Sequence, residues 1–473
     1  MSEAQSPAPE FVASPAVTAA HTVIAAVNGA AADRKAFVKS AFSSKALQSE
    51  SAEIRLKWLD KLAADSAGLA LVSSAPQGER MVEAIVHSKR GNRFGKLVIF
   101  TSKNEPGKIS DLFLLAARDP ARVKAEAWPT AKLQPDRLAA EIAKRVATMS
   151  AEDNFSGVVL VAKGDRVILK RAYGLADREW KVPNRTDTRF HIASVGKMFT
   201  AATVLKLADE RKLSLDDTLA KWVPEYPHPE VTQITLKQLL THSAGVGDWE
   251  GRDVRSEISG AEAAKSMTAP LQFKPGEHFS YSNAGYVLLQ AVIEKATDKP
   301  FAAALDDLVF KPAGMPNTGL WPVTAIIPNR AHGYLHTEDD PLGLGPRYSN
   351  EQFLGYGANG SGGEYSTVVD LFAFLRALEN GTLLGPAMTK EMLTPRIDFA
   401  GSPRPSRYGY GVDLSRCGNH PIFGHEGGGA NSGVSSLAYH VLDGDWTIVV
   451  LSNYDPPAAG DLTFSICEFV AGR

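Results

Sequence analysis

The stretch His191-Ile192-Ala193-Ser194-Val195-Gly196-Lys197 opens an apolar run that continues through Met198, Phe199, Val204, Leu205 and Leu207. Apolar residues fall on several faces, so the helix is expected to be buried, with Ser194 in its first turn. At spacing i, i+3 the hydroxyl of Ser194 and the amine of Lys197 share one face. A lysine desolvated there can lose its proton near neutral pH and act as base toward the serine. The helix N-terminus also favours negative charge developing on acylation. A chain of this composition holds about one or two Ser-x-x-Lys tetrads by chance, so the tetrad alone is weak. Its place at the head of a buried helix, with no second such tetrad in the chain, strengthens it.

Outward from that helix, the strand-like runs Gly157–Ala162 and Arg166–Tyr173 precede it, joined by the Lys163-Gly164-Asp165 turn. Before them, Leu138, Ile142 and Val146 mark a helix entered through Pro135. A long stretch of mainly helical patterns and loops follows. Strands return at Ser435–His440 and Trp446–Ser452, and a last amphipathic helix covers roughly 461–470. Strands at both ends with helices between imply one sheet closed by distant segments and carrying a helical insertion. Near the N-terminus, helical patterns at 31–42 and 52–64 precede strand-like runs at 69–73, 81–87, 96–101 and 109–115, separated by turn clusters at 76–78 and 104–107. Residues 120–135 read as a linker.

A second chemistry-bearing segment is Lys274-Pro275-Gly276-Glu277-His278-Phe279-Ser280-Tyr281-Ser282-Asn283, ahead of a helical pattern at 286–293. Tyr281 can move a proton at a leaving group, and Asn283 offers an amide donor and an acceptor. Tyr-Ser-Asn recurs at Tyr348-Ser349-Asn350, where a Gly-rich context reads as structural loop. A third segment is Phe423-Gly424-His425-Glu426-Gly427-Gly428-Gly429. The zinc pattern HExxH would need histidine at 429, which is glycine, so zinc is not expected. Small residues on a strand edge let a substrate approach closely, and a backbone N–H there can pair with that of Ser194 as an oxyanion hole. No Gly-x-Ser-x-Gly elbow occurs.

The order Ser-x-x-Lys, Tyr-x-Asn, His-x-Gly resembles the class C β-lactamase, penicillin-binding protein and related esterase superfamily. Two flanking segments carry the same likeness: 234–245, ending Leu240-Thr241-His242-Ser243-Ala244-Gly245, and 360–371, which is similar to a Gly-Gly-Leu-Tyr-Ser-Thr stretch. The resemblance covers about residues 135–473. It implies an α/β part packed on an all-α part: a β-lactamase/transpeptidase-like fold with an antiparallel sheet flanked by helices. It also implies an acyl-enzyme mechanism without metal or other cofactor. By matched position Ser194 is nucleophile, Lys197 its base and Tyr281 the proton carrier at the leaving group. Asn283 positions substrate, His425 and Gly427 line the wall, and the amides of Ser194 and Gly428 form the oxyanion hole. Many β-lactamases carry lysine where this chain has His425, which is mostly neutral at pH 7. Recognition of a free carboxylate is expected to be weaker. Ester hydrolysis therefore ranks first, D-peptide hydrolysis or aminopeptidase action second, and β-lactam hydrolysis third. A non-turnover binding or sensor protein is the competing class, although Ser194, Lys197 and Tyr281 all stand.

The expected division is a disordered head over 1–25, a small α+β NTF2-like domain over 26–125, and a catalytic domain over 126–473. The last has an α/β part at 134–200 and 361–473 and a helical part at 201–360. The NTF2-like reading rests on pattern alone, and a packing module is favoured over a binding pocket. The 473 residues are 44% apolar and 22% charged, with formal net charge −2, so no field recruits nucleic acid. No apolar run reaches the length that spans a bilayer. The expected partner is a small ester, amide or peptide, with oligomeric state open. The Ala/Pro/Ser-rich head lacks a signal-peptide pattern. It resembles the start of a mature exported protein, so a periplasmic or secreted location is set beside a cytoplasmic one. Cys417 and Cys467 match no metal spacing, and two buried free thiols are favoured over one disulfide.

Overall fold

The computed structural model describes residues 15–77, 79–91, 93–117, 119–121, 128–129, 133–247, 249, 258–322, 324–336, 340, 342, 346–354, 358–399, 406–429 and 432–471. Two compact units emerge. One comprises Met1–Ala127 with His336–Arg347, and the other Trp128–Leu335 with Tyr348–Arg473. The segment 336–347 was expected within the helical part of the catalytic domain, and it groups instead with the first unit. Most of the linker expected at 120–135, residue 78 of the first turn cluster and the first fourteen residues of the head lie outside the described residues.

In the first unit, helices Pro15–Asn28, Ala31–Ala41, Ser44–Ser49 and Ala52–Ser66 precede a sheet of four consecutive antiparallel strands. The strands are Leu69–Pro76, Met81–Ser88, Phe94–Thr101 and Ile109–Ala117. Ser43 and Ser51 start their helices by accepting from the amides of Ala46 and Ile54, a cap that removes one orphan donor at each end. The helix Pro15–Asn28 overturns the expected disordered head over its last part. Ala16, Ala20, Val23 and Val27 recur at helical spacing and are buried with Phe37, Leu59, Leu62, Val86 and Leu97. A run of alanine reads as featureless until a partner surface exists to bury it.

The second unit is built on an eight-stranded antiparallel sheet. Its order is Ile397–Asp398, Arg407–Tyr408, Asp413–Cys417, His420–Gly428, Ser435–Val441, Trp446–Ser452, Gly157–Lys163 and Arg166–Tyr173. Trp446 pairs with Lys163 and Ser452 with Gly157, so strands from opposite ends of the unit lie side by side as expected. The central strands are buried on both faces, and alternation sorts their side chains into two cores. Val159, Val161, Ile448 and Val450 meet helices Pro135–Ala151 and Gly460–Ala471 through Leu138, Ile142, Leu462 and Ile466. Val158, Leu160, Val449 and Leu451 belong to the larger core. There they join Phe199, Leu205, Leu288 and Phe374 of helices Lys197–Asp209, Asn283–Thr297 and Val368–Glu379. Fully burying each such side chain contributes about 1.5–3 kcal/mol. The architecture is thus a sheet with helices on both faces and a helical insertion between its strands.

Cys417 and Cys467 form a disulfide joining a strand end to the C-terminal helix. This corrects the favoured reading of two free thiols. Their Cα atoms are 6.1 Å apart, within the reach of a disulfide, a proximity that a 50-residue separation does not reveal. Among the described residues no helix is long and apolar enough to cross a membrane.

Candidate active site

Ser194 sits not in the first α-helical turn but in a short 3₁₀ turn, Ala193–Gly196, that feeds the helix beginning at Lys197. Ala193 just before it has φ 45°, a left-handed conformation that costs a non-glycine residue of order 1–3 kcal/mol and persists only where surroundings over-determine it. Those surroundings are two glycine segments. A Cβ on Gly362 would lie 2.1 Å from the Ala193 carbonyl oxygen and 3.1 Å from the Ser194 Cα. One on Gly427 would lie 2.1 Å from the Ile192 carbonyl oxygen and 3.0 Å from the Ser194 amide nitrogen. Only glycine lets both segments close on the turn.

Lys197 is fully buried. Its Nζ stands 3.1 Å from Ser194 Oγ, 2.7 Å from Asn283 Oδ1 and 2.6 Å from the Ser361 carbonyl oxygen. An ammonium has three donors, and here they meet three acceptors. As a neutral amine, Lys197 can keep Asn283 and Ser361 with its two hydrogens and turn its lone pair to the Ser194 hydroxyl. Asn283 owes its position to helix Asn283–Thr297, started by Ser282, whose side chain accepts from the Gly285 amide.

The Tyr281 hydroxyl lies under the influence of the Ser194 side chain, and the Lys197 Nζ lies 4.9 Å from its ring centroid. Burial pushes its phenol well above the usual range, the Ser194 hydroxyl lowers it somewhat, and the charge of Glu426 adds to the rise. Tyr281 is therefore a neutral donor across the working pH range. One face of the Tyr281 ring packs on His242, with centroids 4.3 Å apart, and Phe399 lies nearly parallel at 6.3 Å.

His425 is buried on strand His420–Gly428, and its ring centroid is 6.4 Å from that of Tyr281. Its Nδ1 donates to the Glu426 carbonyl oxygen at 2.5 Å, so Nε2 accepts from the Tyr408 hydroxyl at 2.8 Å. Burial, then the positive charge of Lys197, hold its pKa down at about 3. The imidazole is neutral at any pH of interest, in keeping with the sequence expectation. Gly428 follows at φ 120°, and a Cβ there would lie 1.9 Å from the Val434 carbonyl oxygen. The structure thus brings Ser194, Lys197, Tyr281, Asn283, His425 and Gly427 together, with Gly428 ending the same strand. The second Tyr-Ser-Asn lies elsewhere. Tyr348–Ser349 forms a two-residue strand against Tyr334–Leu335, and Asn350 donates to the Ser432 carbonyl oxygen. It was expected in a loop, and Tyr348–Ser349 is instead a short strand.

Sequence reasoning assigned no role to several residues that shape this site. His242, at φ 55°, accepts the Ser282 amide on Nδ1 at 3.0 Å and forms the floor under Tyr281 and Tyr286. Burial first, then the charges of Lys197 and His425, depress its pKa far below the ordinary histidine value. Ser361 holds Lys197, Tyr408 holds His425, and Glu364 packs beneath the nucleophile's turn against Gly196. His242, Ser361 and Glu364 fall inside the two flanking segments of the resemblance, which was the available signal. Tyr408 had none.

A family profile described as Beta-lactamase matches residues 142–464. The chain belongs to the beta-lactamase family. It is 28% identical over 326 residues to penicillin-binding protein 4* of Bacillus subtilis (strain 168), covering 65% of this chain and 70% of that one. It is 38% identical over 182 residues to esterase EstB of Burkholderia gladioli, covering 34% of this chain and 46% of that one. Less than half of the esterase's length is therefore spanned. Among solved structures it resembles the D-amino acid amidase of Ochrobactrum anthropi SV3 complexed with L-phenylalanine amide. The TM-score is 0.61 at 26% identity, over 71% of this chain and 99% of that one. The protein is thus a serine hydrolase of the beta-lactamase family, and the expected β-lactamase/transpeptidase-like fold is shown, whereas the NTF2-like reading of the N-terminal part gains no support from these likenesses.

Proposed function

We propose that the protein hydrolyses small carboxylic esters through an acyl-enzyme on Ser194. The observation that carries this reading is the set of three acceptors around Lys197 Nζ, two of them fixed and the third the Ser194 hydroxyl. Lys197 takes the hydroxyl proton as Ser194 Oγ attacks the substrate carbonyl. The carbonyl oxygen, turning anionic, sits between the amides of Ser194 and Gly428, each such donor typically contributing about 3–4 kcal/mol. Tyr281, a neutral phenol beside Ser194, passes a proton to the leaving oxygen and receives in return the proton that Lys197 took from Ser194. Water then attacks the acyl carbonyl by the reverse path. Asn283, bonded to Lys197, orients the substrate.

Two features argue against a carboxylate-bearing β-lactam as the preferred substrate. His425 is neutral, and the nearby Glu426 carboxylate is felt by Tyr281. The same Glu426 favours a substrate ammonium, which makes a D-amino-acid amide or peptide the second reading, supported by the likeness to the amidase. A panel of p-nitrophenyl esters, D-amino-acid amides, D-Ala-D-Ala peptides and a chromogenic cephalosporin tests the order. Esters are expected to give the highest kcat/KM, and a cephalosporin outranking both esters and amides would refute it.

A further inference from the structure

Glu364 occupies the place where the family-like stretch Gly-Gly-Leu-Tyr-Ser-Thr has leucine, and it is fully buried. Among the described residues no other residue gives either carboxyl oxygen a hydrogen bond. The carboxyl lies flat against Gly196, where a Cβ would fall 1.8 Å from Oε2 and 2.5 Å from Cδ. Gly196 is the last residue of the nucleophile's turn and directly precedes Lys197. The backbone of Glu364 is tied to the same turn, its carbonyl oxygen accepting from the Ile192 amide at 2.9 Å. A buried carboxyl in this position is costly in place of an apolar side chain, and packing alone gives no reason for it.

We propose that Glu364 is a positioning residue acting through Lys197: its uncharged carboxyl leaves Lys197 able to accept the Ser194 proton, and its ionisation turns the site down at alkaline pH. This rests on reading Ser194 and Lys197 as nucleophile and base. Two effects follow from a negative charge so close to the turn in a low-dielectric interior. It holds the proton on Lys197, and it opposes the negative charge that builds on the acyl oxygen at the Ser194 amide. Among the described residues, few charged and titratable groups surround the carboxyl. From the nucleophile's helix Lys197 acts on it electrostatically. On the strand paired with its own segment stands His191, which burial holds at about 4 and therefore neutral. Beside it Tyr365 is pushed up by burial. Burial likewise raises the Glu364 carboxyl, against its own backbone amide and Lys197, to about 8, so the switch falls in an accessible range. Tyr281 titrates well above it.

The test is the pH profile of kcat/KM for wild type, Glu364→Gln and Glu364→Leu, read on a neutral ester. Wild type is expected to lose about tenfold per pH unit above its alkaline limb. The variant-to-wild-type ratio should then rise at least about tenfold between pH 7 and about pH 9.5. Two variants of different polarity guard against a folding defect in one, and infrared difference spectra of wild type across the limb read the buried carboxylic acid without any substitution. A ratio that stays flat across the limb, or spectra with no buried acid titrating there, would overturn the role of Glu364. Fluorophosphonate labelling of the same samples separates the two claims. Failure to label Ser194 overturns the catalytic reading, whereas labelling with an unmoved limb overturns the Glu364 proposal alone.

Discussion

At the scale of single residues, the site depends on which atoms Lys197 touches. Lys197→Met keeps most of the volume but strands Asn283 Oδ1 and the Ser361 carbonyl oxygen and removes the base. Ester turnover by that variant is expected to fall by about 10²–10⁴ in kcat, measured by steady-state kinetics beside a thermal melt that reports the folded fraction. Retention of more than a tenth of wild-type kcat would exclude Lys197 as base. The chemistry here was legible because Ser-x-x-Lys, Tyr-x-Asn and His-x-Gly are residue types at short spacing. What surrounds them was not. His242 becomes an imidazole floor only because its backbone turns to φ 55° and presents Nδ1 to the Ser282 amide. Tyr408 meets His425 across two strands, 17 residues away. Such contacts are set by packing and leave no local mark in a sequence.

At the scale of elements, two segments converge on the turn Ala193–Gly196: the glycine-rich stretch 360–363 and the end of strand His420–Gly428. Gly427→Ala tests that convergence, since its Cβ would overlap the Ile192 carbonyl oxygen and crowd the Ser194 amide. The added methyl is expected to lower kcat/KM at least about tenfold by moving the turn, with a smaller effect on KM than on kcat. Wild-type kinetics in a folded Gly427→Ala protein would show that the wall does not bear on Ser194. The strands were the most legible elements, because Gly157–Lys163 and Trp446–Ser452 are bounded by turn residues and strongly apolar. The helix Pro15–Asn28 was missed for the opposite reason. Its buried face is mostly alanine, which carries little hydrophobic contrast.

At the scale of the whole molecule, several histidines are held neutral in the interior. Burial keeps His191 and His440 at about 4 and His425 at about 3, and His242 is depressed as well. Each histidine's folded pKa lies below its unfolded value, so its contribution to stability is present above about pH 6.5 and is lost as pH falls toward the folded pKa. Urea denaturation is expected to show stability dropping between about pH 6.5 and 4, by up to roughly 1.4 kcal/mol per pH unit for each such histidine. His440→Gln should flatten that slope, and an unchanged slope would mean that His440 is already charged in the folded protein. The disulfide and the grouping of 336–347 with the first unit belong to this scale too. Both depend on which distant residues meet, and the sequence patterns that located the strands and the nucleophile say nothing about that.

The most direct test of the catalytic reading is intact and peptide mass spectrometry after brief reaction with a fluorophosphonate ester, on wild type and on Ser194→Ala. The expected result is one adduct per chain, on the peptide carrying Ser194, with no adduct and no ester turnover in the variant. Stoichiometric labelling at another residue, or full ester turnover by Ser194→Ala, would contradict it.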